Sequence, residues 1–277
     1  MDRDAAFAAL QQFCADRLGA ELAAEYLRLA RPGFSLTCAE PGEATGECRF
    51  GGRAMLAPGT PWPRCDGHPL SLIAVLDTDA LGSWLDGIVP PGTGLLNFFC
   101  LDSDSDHADP VAFDIAGKHS ASAPQIGVVI AAPAATAVET GAPERASEFE
   151  AEEWKATAGF CFPDDWDPAW NLMFPGTGAD HYALRSRILD QLTDWDERPG
   201  AVVSEDIAFG RPQFPTGSAP YIGDGSDPND YHHLLQLGGN EREWFIGGEG
   251  GVMHWSIPSA ALRAGDFSRA VPTPDHF

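Results

Sequence analysis

The side chains best placed for chemistry lie in one loop, DGSDPNDYHH, where Asp224, Asp227 and Asp230 precede His232 and His233. Carboxylate oxygens and imidazole nitrogens on a single turn are the donor types of a divalent metal. Asp224, Asp227, Asp230 and His232 are therefore the metal candidates that the sequence offers. In a strand the two histidine rings point to opposite faces, so both join one ligand set only across a bulge. A second acidic run, DSDSDHAD, alternates Asp102, Asp104 and Asp106 as a calcium loop does. Its sixth and twelfth positions are His107 and Phe113 where such a loop needs glycine and a bidentate glutamate, so it reads as a solvated loop. No closed set of cysteine and histidine occurs at ligand spacing, and no structural metal or cofactor is expected.

Nucleophilic and nucleotide chemistry find no support. The chain has no G-x-S-x-G, no G-x-x-x-x-G-K, no H-E-x-x-H and no G-x-G-x-x-G after a strand. With 41 acidic residues any carboxylate spacing can be found, so no acid and base pair is singled out and no catalytic residue is assigned. Binding is better served. Between Glu148 and Trp170, acids surround tryptophans, and Trp154, Asp164, Asp165, Trp166, Asp167 and Trp170 form a candidate partner-binding set. Aromatic anchors rimmed by charge are typical of protein interfaces. The alternative is that these tryptophans are core and the acids solvate them. Trp62, between Pro61 and Pro63, is either a plug over the end of a sheet or a ligand-facing ring.

Charge narrows the partners. Forty-one acidic residues against 17 basic ones leave −24 over 277 residues. That field repels a phosphate backbone and an anionic membrane, so neither nucleic acid nor membrane is expected as a partner. The excess is concentrated between Glu139 and Asp206, which hold sixteen carboxylates and five lysines or arginines. This is either a solvated face or a surface for a basic protein. The start, MDRDAAFAALQQF, lacks the apolar segment of a secretory signal, and no apolar run reaches membrane length, so a soluble, cytoplasmic protein is expected. Six cysteines without a C-x-x-C pair read as reduced, including Cys38 and Cys48 across an expected hairpin.

The elements that position these residues follow from periodicity. Phe7, Leu10, Cys14, Leu18, Leu22, Tyr26 and Leu29 step by threes and fours, predicting one helix over residues 4–30, loosened at Gly19 and stopped by Arg31-Pro32-Gly33. Phe34 to Cys38 and Cys48 to Phe50 predict a hairpin, and Leu70 to Leu76, Leu95 to Leu101 and Ile126 to Ala132 predict core strands. A short helix is expected from Thr78 to Leu85, another from Glu148 to Ala158, and a longer one from Tyr182 to Trp195. PLSLIAVLD with GTGLLNFFCL, and HHLLQLGGN with GEGGVMHWSI, share a strand, a gap and a glycine-led strand, as an internal duplication would produce. The fold class is mainly β, a β-rich α+β roll with two internally related sheet-forming halves and an N-terminal helix. A single domain spans 1–277, with halves at 34–135 and 200–277 and an irregular, partly helical insert at 136–199.

Pro58, Gly59, Trp62, Pro63, Gly67, Pro69, Leu70 and Asp77, then Pro91, Gly94, Leu95, Asn97, Phe98 and Phe99, carry a resemblance to the YwqG-like family of bacterial proteins of unknown function. It resumes in YHHLLQLGGN, GGEGGVMHWSI and DFSRA. The chain departs from the family pattern at Gly247 to Gly251 and at Ile73 to Leu76. The resemblance implies a mainly β roll with two related halves and brings no established reaction. Two functions from different classes remain open: a non-catalytic binding protein, of which an immunity protein covering a basic toxin is one form, and a metal-dependent hydrolase using the Asp-rich loops.

Overall fold

Asp2 starts the first helix, its carboxylate accepting the Ala5 amide at 2.8 Å and so satisfying a donor that a helix leaves orphaned at its N-terminus. The computed structural model describes residues 2–119, 123–174, 179–214, 230–238 and 251–275. Helix α1 (Arg3–Leu18) stops at Gly19, whose φ of 79° and ψ of 155° cannot continue a helix, and α2 (Ala20–Leu27) resumes beyond it. The single helix expected over residues 4–30 is thus two helices. Ala6, Leu10, Phe13 and Cys14, then Ala23 and Tyr26, form the buried line. Phe7 is half-buried on this line's flank, its ring 5.4 Å from Phe160.

The chain then forms β1 (Arg31–Cys38), β2 (Arg49–Phe50), β3 (Ala54–Leu56), β4 (Arg64–Cys65) and β5 (His68–Pro69). Next come β6 (Ser71–Asp77), α3 (Thr78–Leu81), β7 (Leu95–Cys100), α4 (Pro110–Ala116), β8 (Gly127–Ala132) and β9 (Val138–Thr140). Then follow β10 (Glu152–Cys161), α5 (Ala179–Leu192), β11 (Asp206–Phe209), β12 (Tyr231–Gly238), β13 (Val252–Pro258), α6 (Ser259–Ala264) and β14 (Val271–Asp275). Ten of the strands make one sheet in the order β14-β13-β12-β11-β1-β10-β2-β6-β7-β8, and every described pairing within it is antiparallel. The expected mainly β architecture with an N-terminal helix is what the chain adopts. The sheet curls until its edges meet without pairing, so that a Cβ on Gly127 of β8 would lie 2.8 Å from Pro272 of β14. Pro272 and Pro274 have no N–H to extend a ladder, which suits them to an edge strand.

Two local expectations are overturned. The segment Glu148 to Ala158 is no helix; most of it is β10, because strands on both sides offer ladder partners and override the helical preference of Ala, Glu and Lys. The hairpin of residues 34–38 with 48–50 does not form either. Instead β1 pairs with β10 over eight positions, from Arg31↔Cys161 to Cys38↔Trp154, and β2 lies on the far side of β10. Cys38 is exposed and Cys48 buried, and all six cysteines are free. β6 is followed by α3, a 3₁₀ turn and the antiparallel β7, and β13 by α6, a 3₁₀ turn and the antiparallel β14.

Strand β7 shows how the layers are divided. Leu96, Phe98 and Cys100 enter the main core, where Phe98 meets Trp255 edge-on at 5.6 Å. Leu95 and Phe99 face the other way into a smaller core beneath the β3–β9 ribbon. Asn97, on that same outer face, is fully buried and fully used: its amide accepts from Met55 N at 2.7 Å and donates to the carbonyls of Met55 at 2.7 Å and Ile130 at 3.2 Å. A side chain thereby replaces a backbone partner for the ribbon.

In the β1–β10 ladder Gly33 stands opposite Gly159, leaving a notch without side chains. The returning chain fills it. A Cβ on Gly159 would come 2.5 Å from the Gly200 carbonyl oxygen, and one on Gly33 would come 2.9 Å from Gly210 Cα. Both obstacles are backbone and cannot rotate away. Gly159→Ala is therefore expected to lower unfolding stability by about 1–3 kcal/mol through overpacking, read from denaturant midpoints. An unchanged midpoint would show that the 200–210 segment does not need the notch.

Candidate binding cleft

The notch sets up the site. Beyond β11 two consecutive residues are left-handed, Phe209 at φ 58° and Gly210 at φ 73°. For the phenylalanine this costs roughly 1–2 kcal/mol. The turn throws Arg211 to Phe214 across the end of the sheet as a strap, held at several different anchors. Arg211 N donates to Cys161 Sγ at 2.8 Å and Arg211 Nε to the Leu29 carbonyl at 2.8 Å. Gln213 N donates to Gln236 Oε1 at 2.7 Å, and Phe214 N to the Asp164 carboxylate. His233 Nδ1 lies 2.9 Å from the Phe209 carbonyl. A carbonyl only accepts, so Nδ1 carries the proton and the buried Nε2 is left an acceptor with no partner.

A cleft of about 200 Å³ opens between the strap, the end of α5 and the loop after β10. Tyr26, Cys161, Asp164, Asp196, Arg211 and Gln213 supply its polar lining. Arg211 is 2% exposed, with Nη1 3.8 Å from the Asp167 carboxylate and Nη2 without a partner. The fully buried Tyr26 hydroxyl also has none. Burial pushes the Asp164 carboxyl up to about 6, against the opposing amides of Phe214 and Trp166 and with Asp167 adding to the rise. Burial also lifts the Cys161 thiol to about 11, so it is no nucleophile at neutral pH. Beside the strap Gln236, His254 and Thr273 are successive partners across β12, β13 and β14, all buried. The His254 ring meets Phe214 at 5.2 Å and His233 at 5.8 Å, and neither of its nitrogens is bonded. Burial holds both histidines neutral, His233 at about 4 and His254 well below its ordinary range.

The structure separates the residues singled out in the sequence. Trp154 is fully buried on β10, and Trp170 is 4% exposed with its indole N–H donating to the Asp164 carbonyl at 2.7 Å. Asp167, 2% exposed, caps the 3₁₀ turn Pro168–Leu172 by accepting from Ala169 N at 2.7 Å. These three belong to the core and not to a docking face. Trp166 is 59% exposed, and its backbone N–H donates to the Asp164 carboxylate at 2.9 Å. Arg185 Nε lies 3.4 Å from the Asp165 carboxylate, and its guanidinium covers the ring of the exposed Tyr182 at 4.9 Å.

Trp62 packs as a plug: its N–H donates to the Leu70 carbonyl at 2.7 Å and its ring stands edge-on to Phe99 at 5.1 Å. Of the metal candidates, Asp224 and Asp227 lie outside the described residues, and Asp230 is exposed. His232 Nδ1 sits 3.2 Å from Arg31 Nη1, and since a guanidinium only donates, that lone pair is already taken. Burial and then Arg31 depress this ring to about 4. Asp102 accepts from the hydroxyls of Ser105 and Ser147 and from Ser105 N, which makes it a buried turn anchor. Arg211, Tyr26 and Gln236 were missed in the sequence, although Gly-Arg-Pro straight after a strand marks a forced turn carrying a charge.

Asp164 yields a pH signature. Its folded pKa lies above its unfolded one, so the native state binds the extra proton and stability from this group falls as pH rises from about 4 to about 6. Asp164→Asn keeps an acceptor for Phe214 N and removes the ionisation. Wild type should lose stability relative to this variant across that window in paired thermal melts. Parallel curves would place Asp164 in water instead.

Among the described residues no helix is long and apolar enough to cross a membrane. No curated protein matches the sequence significantly. Residues 48–275, which include every strand of the sheet except β1 and all of the strap, match the domain of unknown function DUF1963, and the protein belongs to that family.

Proposed function

We propose that this protein is a YwqG-like, cytoplasmic binding protein without turnover, and that its partner is a basic protein taken at the mouth of the cleft. The observation that carries this reading is Trp166, 59% exposed beside a cleft whose lining includes the carboxylates of Asp164 and Asp196. A lysine or arginine of the partner enters between those carboxylates, Trp166 packs on its stem, and the unpartnered Arg211 Nη2 and Tyr26 hydroxyl donate to a carbonyl of the inserted segment. The net charge of −24 steers such a partner from a distance. An immunity protein covering a basic toxin is the form of this reading that fits a surface of carboxylates without an activated nucleophile. The hydrolase alternative draws less support, since Asp102 is committed to two serines and His232 to Arg31.

The test is affinity capture from native cells followed by association kinetics on the captured protein. The partner should be basic, and its on-rate should fall as salt shortens the Debye length below roughly 10 Å while the off-rate changes less. Trp166→Ala should weaken binding by roughly thirtyfold, the loss expected of an aromatic hot spot. Equal affinity of wild type and Trp166→Ala, or turnover of a small substrate by the pure protein, would overturn the proposal.

A further inference from the structure

Away from the cleft, β4 and β5 form a tight hairpin. Cys65 pairs with His68 across a two-residue turn in which Asp66 has φ 48° and Gly67 φ 82°. Two successive left-handed residues make a type I′ turn, for which Asp-Gly is a favoured sequence. The turn fixes Asp66 next to a buried thiol. His119, shortly after α4, closes on it from 53 residues away, its Nε2 3.1 Å from Asp66 Oδ2. Donor atoms of Cys65, Asp66 and His119 all lie within 4.8 Å of one another, and among the described residues this is the one cluster of three such ligands.

We propose that Cys65, Asp66 and His119 form a zinc site. A thiolate, a carboxylate and an imidazole are a donor set that zinc accepts, and the two anionic ligands match its two charges. The spacing fits as well, because two donors each about 2.0 Å from a tetrahedral zinc stand roughly 3.3 Å apart. His68, the cross-strand partner of Cys65, is 4% exposed and its Nδ1 has no hydrogen-bond partner. Its ring nitrogens fall outside the 4.8 Å cluster, so the three side chains leave the fourth position of a tetrahedral zinc to water. The expectation of no metal relied on ligand spacing along the chain, and Asp66 and His119 meet only through the fold.

The test uses cobalt as the probe. The purified, reduced and chelator-treated full chain is titrated anaerobically with Co²⁺, and one equivalent should produce a thiolate-to-cobalt charge-transfer band that Zn²⁺ bleaches. Cys65→Ser should abolish the band, while the exposed Cys38→Ser should keep it. Asp66→Asn and His119→Ala, at positions that are not buried, should fold and bind at least tenfold more weakly. Added zinc should raise the melting temperature of wild type and not of His119→Ala. Absence of the band at stoichiometric cobalt, or a band that persists in Cys65→Ser, would overturn the proposal.

Discussion

The antiparallel ladder of β1 and β10 is the interaction on which the rest of the molecule depends. On one side of it lie β2, β6, β7 and β8, and on the other β11 to β14. A sheet severed there would expose two edges of unpaired amides and carbonyls, which native proteins avoid. The two strands come from residues 31–38 and 152–161, so the chain closes a long loop before the ladder rewards it. The ladder also makes the cleft possible. Only the Gly33 and Gly159 pair lets the chain after β10 approach closely enough for Phe209 to turn and deliver Arg211.

Around that turn the balance of polar burial is unusual. Arg211 carries a buried charge whose nearest carboxylate, Asp167, is 3.8 Å away, beyond a good hydrogen bond. Tyr26 and Arg211 each keep a donor unspent, while Asp164 and the His233–His254 pair are pushed toward their neutral forms. Unsatisfied buried groups cost about 1–3 kcal/mol each, and a fold selected for stability alone would replace them by apolar side chains. Their concentration at one strap, beside an exposed tryptophan, is the physical reason for placing the site there.

Much of the architecture was legible because the relevant signals are local. Leu70 to Leu76 and Leu95 to Leu101 became β6 and β7, since continuous apolar runs between Pro and Gly clusters have few other uses. The helix expected over Tyr182 to Trp195 is α5 with a 3₁₀ extension through Trp195. What failed was decided by tertiary pairing. AEEWKATA favours a helix in isolation, and nothing in it announces that β1 and β2 wait on either side. Trp154 and Trp170 were indistinguishable from Trp166 in composition, and only the sheet's position buries two and exposes the third. Asp66 and His119 carried no mutual signal at all.

The most direct measurement on the central claim is the tryptophan emission of wild type and Trp166→Phe during titration with an arginine-rich peptide. Trp166 is exposed, whereas Trp154, Trp170, Trp195 and Trp255 are buried, so the difference between the two titrations isolates the mouth of the cleft. A saturable blue shift in wild type that salt weakens, and that Trp166→Phe lacks, is the predicted result. The same shift in both proteins, or none in wild type, would contradict a basic partner at this site.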